Sequence, residues 1–170
     1  APHAGHRYSG PVAGYAFAAL RGMQPDVVAV VSPMHYPYAQ RLLTSAHSAY
    51  QTPLGMIEID RELVQHLDDI VQRQTGVNLA AIRKDPEHSL EIELPFLQRA
   101  LAAPFKLLPI MVREQSPEVV RGLGMALAEV LRSRRALLVA STDLSHFYPQ
   151  RVAEALDQVV LDGVAASDPA

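Results

Sequence analysis

The sequence predicts an α/β fold in which a layered, mostly parallel central sheet is flanked by helices. Residues 26–32 and 136–141 are short, continuous apolar segments, as is typical of strands buried on both faces of a parallel sheet. Amphipathic segments separate these strands, and an alternation of strands and helices favours a parallel arrangement. The chain has 170 residues, of which 49% are hydrophobic, so we expect one domain over residues 1–170.

A further strand is predicted over residues 105–112. Pro109 lies within it and lacks a backbone N–H, which favours an edge position or a bulge. The stretch before the helix that starts at Arg61 is expected to be irregular, with a turn at residues 52–55.

Apolar residues at helical spacing predict the helices. These run from Ser9 to Leu20, from Arg61 to about Gln74, from Asp85 to Leu101, from Pro117 to Arg132, and onward from about Gln150. Val12 and Tyr15 belong to the apolar series of the first helix, and Gly76 is expected to end the second. Asp85 is the expected cap of the third helix, and Pro95 is expected to kink it.

Composition excludes several classes of function. The formal net charge is −3 and no block of Lys and Arg is present, so we expect no nucleic-acid partner. No apolar run approaches the roughly 20 residues that a bilayer requires, and the N-terminus lacks a signal-peptide pattern. We therefore expect no membrane partner and a cytoplasmic location. The chain starts without Met, and we expect a fragment that lacks N- and C-terminal parts.

Three of the seven histidines lie where an α/β sheet usually places its functional site. His35 and His146 follow predicted strands, and His3 is expected to follow a strand cut off before residue 1. Neutral imidazole binds Zn, Fe, Cu and Ni, and it also transfers protons near neutral pH. Asp143 lies three residues before His146, where it can orient the ring or share its proton. Since the chain has no cysteine, a metal here must be bound by histidine and carboxylate.

Other polar residues support weaker interpretations. His88 lies at the start of the third predicted helix, where anions bind well, and simple capping is an equal alternative. A hydrolase with Ser141 or Ser145 as nucleophile is disfavoured, because no Gly-x-Ser-x-Gly elbow surrounds either serine. His47 and His66 are typical of loop and helix-surface positions.

Six segments of the sequence carry recognisable motifs, namely residues 1–10, 32–35, 52–54, 85–91, 94–96 and 141–147. These segments resemble signatures of the Memo family, whose bacterial members include AmmeMemoRadiSam system protein B. They occur in order and span essentially the whole chain. The resemblance implies the fold of the class III extradiol dioxygenases, which use non-haem iron held by two histidines and a carboxylate.

The resemblance also implies roles for individual residues. His3 and His35 would be metal ligands, and His146 would handle protons or contact substrate. Asp143 and His88 would line the same pocket. The third family ligand, a cysteine in eukaryotic members, would lie beyond residue 170.

Two positions depart from the family pattern. His6 stands where an aromatic residue is common, and Tyr36 stands where a second histidine is frequent. Both changes are expected to alter the polarity of the pocket.

By this resemblance, a dioxygenase-like oxidoreductase with iron is the leading hypothesis, with copper or zinc as other metals. One alternative is a non-catalytic adaptor that binds a peptide or a partner protein in the same pocket. A zinc-dependent hydrolase is a weaker alternative. The bacterial family name further implies a functional association with radical-SAM and AMMECR1-like proteins, with an unidentified substrate.

Overall fold

The computed structural model describes residues 1–84 and 86–166. The strands are β1 Val27–Pro33, β2 Leu42–Ser45, β3 Ala49–Thr52, β4 Gly55–Glu58, β5 Leu79–Ile82, β6 Lys106–Val112 and β7 Ala136–Ala140. The α-helices are α1 Gly10–Ala18, α2 Arg61–Thr75, α3 Leu94–Ala100, α4 Pro117–Leu131 and α5 Gln150–Ala166. A turn of π-helix, Gly5–Ser9, precedes α1, and a 3-10 turn, Glu91–Glu93, precedes α3.

The central sheet has the strand order β5-β2-β6-β1-β7. β1 pairs in parallel with β6 and with β7, and β2 pairs in parallel with β5. The β2–β6 pair is antiparallel. The predicted α/β fold, with a mostly parallel sheet flanked by helices, is confirmed.

The prediction that Pro109 marks an edge or a bulge is wrong. β6 lies between β1 and β2, and Pro109 pairs in register with Val30 of β1. On the other side, the β2 ladder reaches only Met111 and Val112, while the Thr44 hydroxyl donates to the Pro109 carbonyl at 2.7 Å. Because the N–H and C=O of a residue point to the same side of a strand, the missing donor costs no ladder bond here.

The two faces of β1 pack into two apolar clusters. Val27 and Ala29 pack with residues of α2 and α4, whereas Val28 and Val30 pack with residues of α1 and α3. This alternation follows from the two-residue period of a strand. All four side chains are at most 2% exposed, so β1 lies in the middle layer of a three-layer domain.

Helix α2 has the ends that the sequence predicts. The carboxylate of Asp60 accepts the backbone N–H of Leu63 at 3.0 Å and caps the first turn. Gly76 ends the helix with a φ of 69°, a left-handed conformation that favours glycine.

The apolar face expected for α1 is wrong. Val12 is 63% exposed and Tyr15 is 83% exposed, whereas Ala13 and Phe17 are buried. The ring of Phe17 stacks on Phe96 of α3 at 5.1 Å between centroids. This aromatic pair sets which stripe of the short helix faces the core.

The third predicted helix starts later than expected. Residues 86–90 form a loop and a turn, because the carboxylate of Glu87 accepts the backbone N–H groups of the two residues that follow it. Pro95 then falls in the first turn of α3, where its missing N–H is tolerated, so the expected kink is wrong. The predicted capping role of Asp85 lies outside the described residues.

The stretch before α2 is more ordered than expected. It contains β2 and the β3–β4 hairpin, whose turn lies between the paired residues Thr52 and Gly55, as predicted. The sequence does not predict β2 as a strand, because two of its four buried residues, Thr44 and Ser45, are polar and interrupt the apolar pattern.

Among the described residues, no helix is both long and apolar enough to cross a bilayer. α5 carries apolar side chains that are exposed, such as Val159 and Val164 at 72% each.

The first residues of the chain run beside the end of β7, where Thr142 donates its N–H to the Ala1 carbonyl at 2.8 Å. This pairing brings the N-terminal loop to the carboxyl end of the sheet.

Candidate metal centre

Three imidazole rings meet at the carboxyl ends of β1 and β7. The ring centroids of His3 and His35 are 5.4 Å apart, those of His3 and His88 are 6.1 Å apart, and those of His35 and His88 are 5.6 Å apart. His3 is buried, whereas His35 and His88 are exposed. The rings come from three separate loops, so the fold itself assembles the cluster.

Glu87 fixes the loop that carries His35. Its Oε2 accepts the backbone N–H of His35 at 2.6 Å, and its Oε1 lies 2.9 Å from Nδ1 of the same residue. Its Oε1 also accepts the backbone N–H groups of His88 and Ser89, each at 2.9 Å. A carboxylate at Nδ1 places the ring proton there and leaves Nε2 free to bind a cation.

The acidity of Glu87 fits this arrangement. Burial by itself raises the pKa of Glu87, but hydrogen bonds from the backbone N–H groups of His35 and Ser89 outweigh it and hold the pKa at about 2. Glu87 is thus a carboxylate at neutral pH although only 5% exposed.

His3, like His35, is anchored through Nδ1 of its ring. Nδ1 of His3 lies 2.8 Å from Oγ of Ser141, at the end of β7. Oδ1 of Asp143 accepts the backbone N–H groups of His3 and Ala4 at 2.5 and 3.0 Å. Nε2 of His3 lies 3.7 Å from Oδ2 of Asp143, which is too long for a hydrogen bond.

The surroundings keep the His3 ring neutral. Burial lowers the pKa of His3, the Asp143 carboxylate raises it, and the neighbouring His35 and His88 lower it further. The net shift is downward. A neutral imidazole is the form that binds a metal.

His146 and Asp143 line the same cleft as His3 and His35, a space of about 620 Å³. The His146 ring is exposed and stacks on Phe147, with 5.0 Å between centroids. Leu144 and Phe147 have φ angles of 59° and 66°, which are strained for residues other than glycine. The loop that carries His146 is therefore held in an unusual conformation at the edge of the cleft.

His6 and Tyr36, two other predicted pocket residues, are not among the described residues that line this cleft. His6 places Nε2 2.9 Å from the Ile92 carbonyl and packs its ring edge-on against Phe96. Tyr36 follows His35 in the loop and is 41% exposed. His88, predicted to begin a helix, lies instead in the loop before the 3-10 turn.

Sequence reasoning missed two buried carboxyl groups next to the cluster. Glu87 and Glu93 are both buried, and Glu93 is connected to His3 through Ser141. An acidic residue next to a candidate ligand histidine was the available signal for Glu87. Glu93 gave no local signal, because its neighbours in sequence belong to an ordinary helix start.

The donors present fit a divalent cation. Atoms of His35, Glu87 and His88 that can bind a metal lie within 4.8 Å of one another. Both oxygens of Glu87 already accept backbone N–H groups, so this carboxylate serves best as a hydrogen-bond partner of the ligands. Imidazole nitrogens with a nearby carboxylate, Asp143, form a donor set suited to iron, zinc or copper.

The fold and the cluster define an α/β protein with a histidine site at the carboxyl edge of its sheet. The chain belongs to the Memo family: the family model described as Memo-like protein matches residues 1–170. It is 31% identical over 98% of its length to a MEMO1 family protein of Nitrosopumilus maritimus. It is 34% identical over 98% to one of Methanococcoides burtonii, and 32% identical over 98% to one of Thermotoga neapolitana. The matches cover 60%, 61% and 60% of these relatives, so the chain spans about three fifths of their length.

Proposed function

We propose that this chain supplies the histidine ligands of a non-haem metal centre in a dioxygenase-like oxidoreductase, with iron as the metal. The observation that carries the proposal is the anchoring of two rings through Nδ1, His35 by Glu87 and His3 by Ser141. Anchoring one nitrogen and freeing the other is how proteins prepare histidine for a metal. Membership of the Memo family supports the same assignment.

In this proposal His3 and His35 are the principal ligands. His88 supplies the third imidazole of the cluster, because its ring lies within 6.1 Å of both others. The buried Glu87 keeps His35 in the binding tautomer. Iron in such a site supplies redox and Lewis-acid chemistry.

In this proposal His146 handles the protons of the reaction. His146 is exposed in the cleft, where its imidazole can reach both solvent and a bound substrate. Asp143 holds the backbone of the His3 loop and adds negative charge beside the rings. The substrate of this chemistry has to enter the open cleft that these residues line.

The test is metal analysis of the full-length protein prepared without oxygen. We expect about one iron per chain, loss of most of it in His3→Ala and His35→Ala, and retention in His66→Ala, whose ring lies on the exposed surface of α2. Stoichiometric metal in the double variant His3→Ala, His35→Ala would contradict the ligand assignment. Zinc in place of iron, without electron paramagnetic resonance signals on oxidation, would favour hydrolysis.

Activity is tested separately from binding. Oxygen uptake by the iron-loaded protein with catechols should exceed that of His146→Ala by about 10²-fold, the usual contribution of a general acid or base. Background uptake by wild type across catechols and other aromatic reductants would exclude the dioxygenase-like activity while leaving the metal site intact.

A further inference from the structure

A buried carboxyl group is connected to the candidate ligand His3 through one hydroxyl. The Glu93 side chain is 0% exposed, and its Oε1 lies 2.8 Å from Oγ of Ser141. Ser141 in turn lies 2.8 Å from Nδ1 of His3 and donates toward the Ser89 carbonyl at 2.7 Å. Oε2 of Glu93 has no hydrogen-bond partner among the described residues.

The number of protons available to the three contacts of the Ser141 hydroxyl determines which group donates in each of them. A serine hydroxyl has one proton to donate and two lone pairs to accept with. The Ser89 carbonyl can only accept, so it takes the single proton of Ser141. The two remaining contacts are hydrogen bonds only if His3 donates from Nδ1 and Glu93 donates from its carboxyl oxygen.

An ionised Glu93 would leave the network incomplete. The Ser141 proton could then serve either the carboxylate or the Ser89 carbonyl, and two oxygen acceptors would face each other unbonded at 2.7 or 2.8 Å. The buried charge would also have one oxygen without a partner, which is costly in an apolar interior.

We infer that Glu93 is a neutral carboxylic acid that donates to Ser141, and that this pair holds His3 in the tautomer with the proton on Nδ1. Glu93 and Ser141 are then positioning residues that keep Nε2 of His3 available. That this positioning serves metal binding rests on the proposed function, whereas the protonation of Glu93 and the tautomer of His3 do not.

The surroundings of Glu93 agree with a neutral acid. Burial raises the pKa of Glu93, the contact with Ser141 and the positive N-terminal amino group oppose this rise, and the nearby Asp143 carboxylate adds to it. His6 lies close enough to lower it, but the net direction is upward.

Two spectroscopic measurements on the metal-free, full-length protein test the inference. Neither measurement depends on whether the protein binds a metal. Nitrogen-15 NMR of labelled histidine should show His3 with its proton on Nδ1, with the signal assigned through His3→Gln. The infrared spectrum at neutral pH should contain a protonated-carboxyl band that disappears in Glu93→Gln.

Three variants separate positioning from simple packing. Glu93→Gln keeps a donor toward Ser141 and should preserve the His3 tautomer, whereas Glu93→Met fills the space without a donor and should give a mixture of tautomers. Ser141→Ala should also give a mixture and weaken metal binding about 10- to 100-fold. Ser145→Ala, in the same loop, is the control and should leave both unchanged.

The inference is overturned if wild-type His3 carries its proton on Nε2, if no carboxyl band is lost in Glu93→Gln, or if Glu93→Met and Glu93→Gln give the same tautomer. A protein that shows the expected tautomer and band but binds no metal would overturn the proposed function alone.

Discussion

The carboxylate of Glu87 holds His35 at two points, since it accepts the backbone N–H at 2.6 Å and lies 2.9 Å from Nδ1 of the ring. Main chain and side chain of the candidate ligand are therefore fixed by one buried anion. The same carboxylate orders the start of the loop that carries His88. The spacing of His35 and His88 is thus a property of Glu87 as much as of the sheet.

Replacement of Glu87 by glutamine, which has nearly the same size and shape, should weaken metal binding. The amide would present N–H groups to the N–H donors of His35, His88 or Ser89, leaving a buried donor unpaired at a cost of about 1–3 kcal/mol. Metal affinity of the full-length protein, measured by calorimetric titration, should fall about 10- to 100-fold. Glu129→Gln, on the exposed side of α4, should change neither stability nor affinity.

Acid should destabilise the folded protein by protonating Glu87. The pKa of Glu87 is about 2 in the folded protein against an ordinary value of 4.5, so the unfolded chain takes up the proton first. The stabilisation is complete above about pH 4.5 and is lost as the pH falls toward about 2, amounting to roughly 3 kcal/mol. Denaturant unfolding at stepped pH should show this loss in wild type and not in Glu87→Gln. Parallel curves for the two proteins would contradict it.

Replacement of Asp143 by asparagine separates charge from anchoring. The amide oxygen can still accept the backbone N–H groups of His3 and Ala4, so stability should change little. The Asp143 charge raises the pKa of His3 against the effect of burial, so its removal should lower that pKa further. NMR titration of metal-free protein measures this, and a raised His3 pKa in Asp143→Asn would refute the electrostatic role. Asp143→Ala should instead cost about 1–3 kcal/mol through the unpaired donors.

Local signals explain which parts of the fold the sequence predicts correctly. β1 and β7 are continuous apolar segments, and α2 has a capping Asp60 and a terminal Gly76, so neither needs knowledge of distant residues. Pro109 and β2 could not be predicted in the same way. A side chain from another strand, Thr44, supplies the hydrogen bond that makes a central proline acceptable.

The site shows the same division. His35 and Asp143 are recognisable because they follow strands, and they line one cleft together with His3 in the structure. Glu87 is marked in the sequence only by its position next to His88, and Glu93 has no local signal, because their partners lie about 50 residues away in sequence, at His35 and Ser141. Their importance depends on burial, which only the assembled sheet provides.

Two glycines of α4 should respond in opposite directions to the same substitution. A Cβ at Gly122 would lie 2.0 Å from Cγ2 of Thr75 at the end of α2. Thr75 cannot turn aside freely, because its hydroxyl donates to the Val71 carbonyl at 2.8 Å and accepts the Val77 N–H at 3.1 Å. Gly122→Ala should therefore force α2 and α4 apart or break these bonds, destabilising the protein by about 1–3 kcal/mol.

Gly124 lies two residues further along α4 and is exposed, and a Cβ there would meet no described atom within 4 Å. Gly124→Ala should stabilise the protein by about 0.5–1 kcal/mol, because alanine loses less backbone entropy in a helix than glycine. Chemical denaturation of both variants beside wild type measures the difference. If Gly122→Ala were as stable as Gly124→Ala, the close packing of α2 on α4 at Thr75 would not constrain the fold. Since α2 packs on the opposite side of the sheet from α3, metal affinity should be unchanged in both variants.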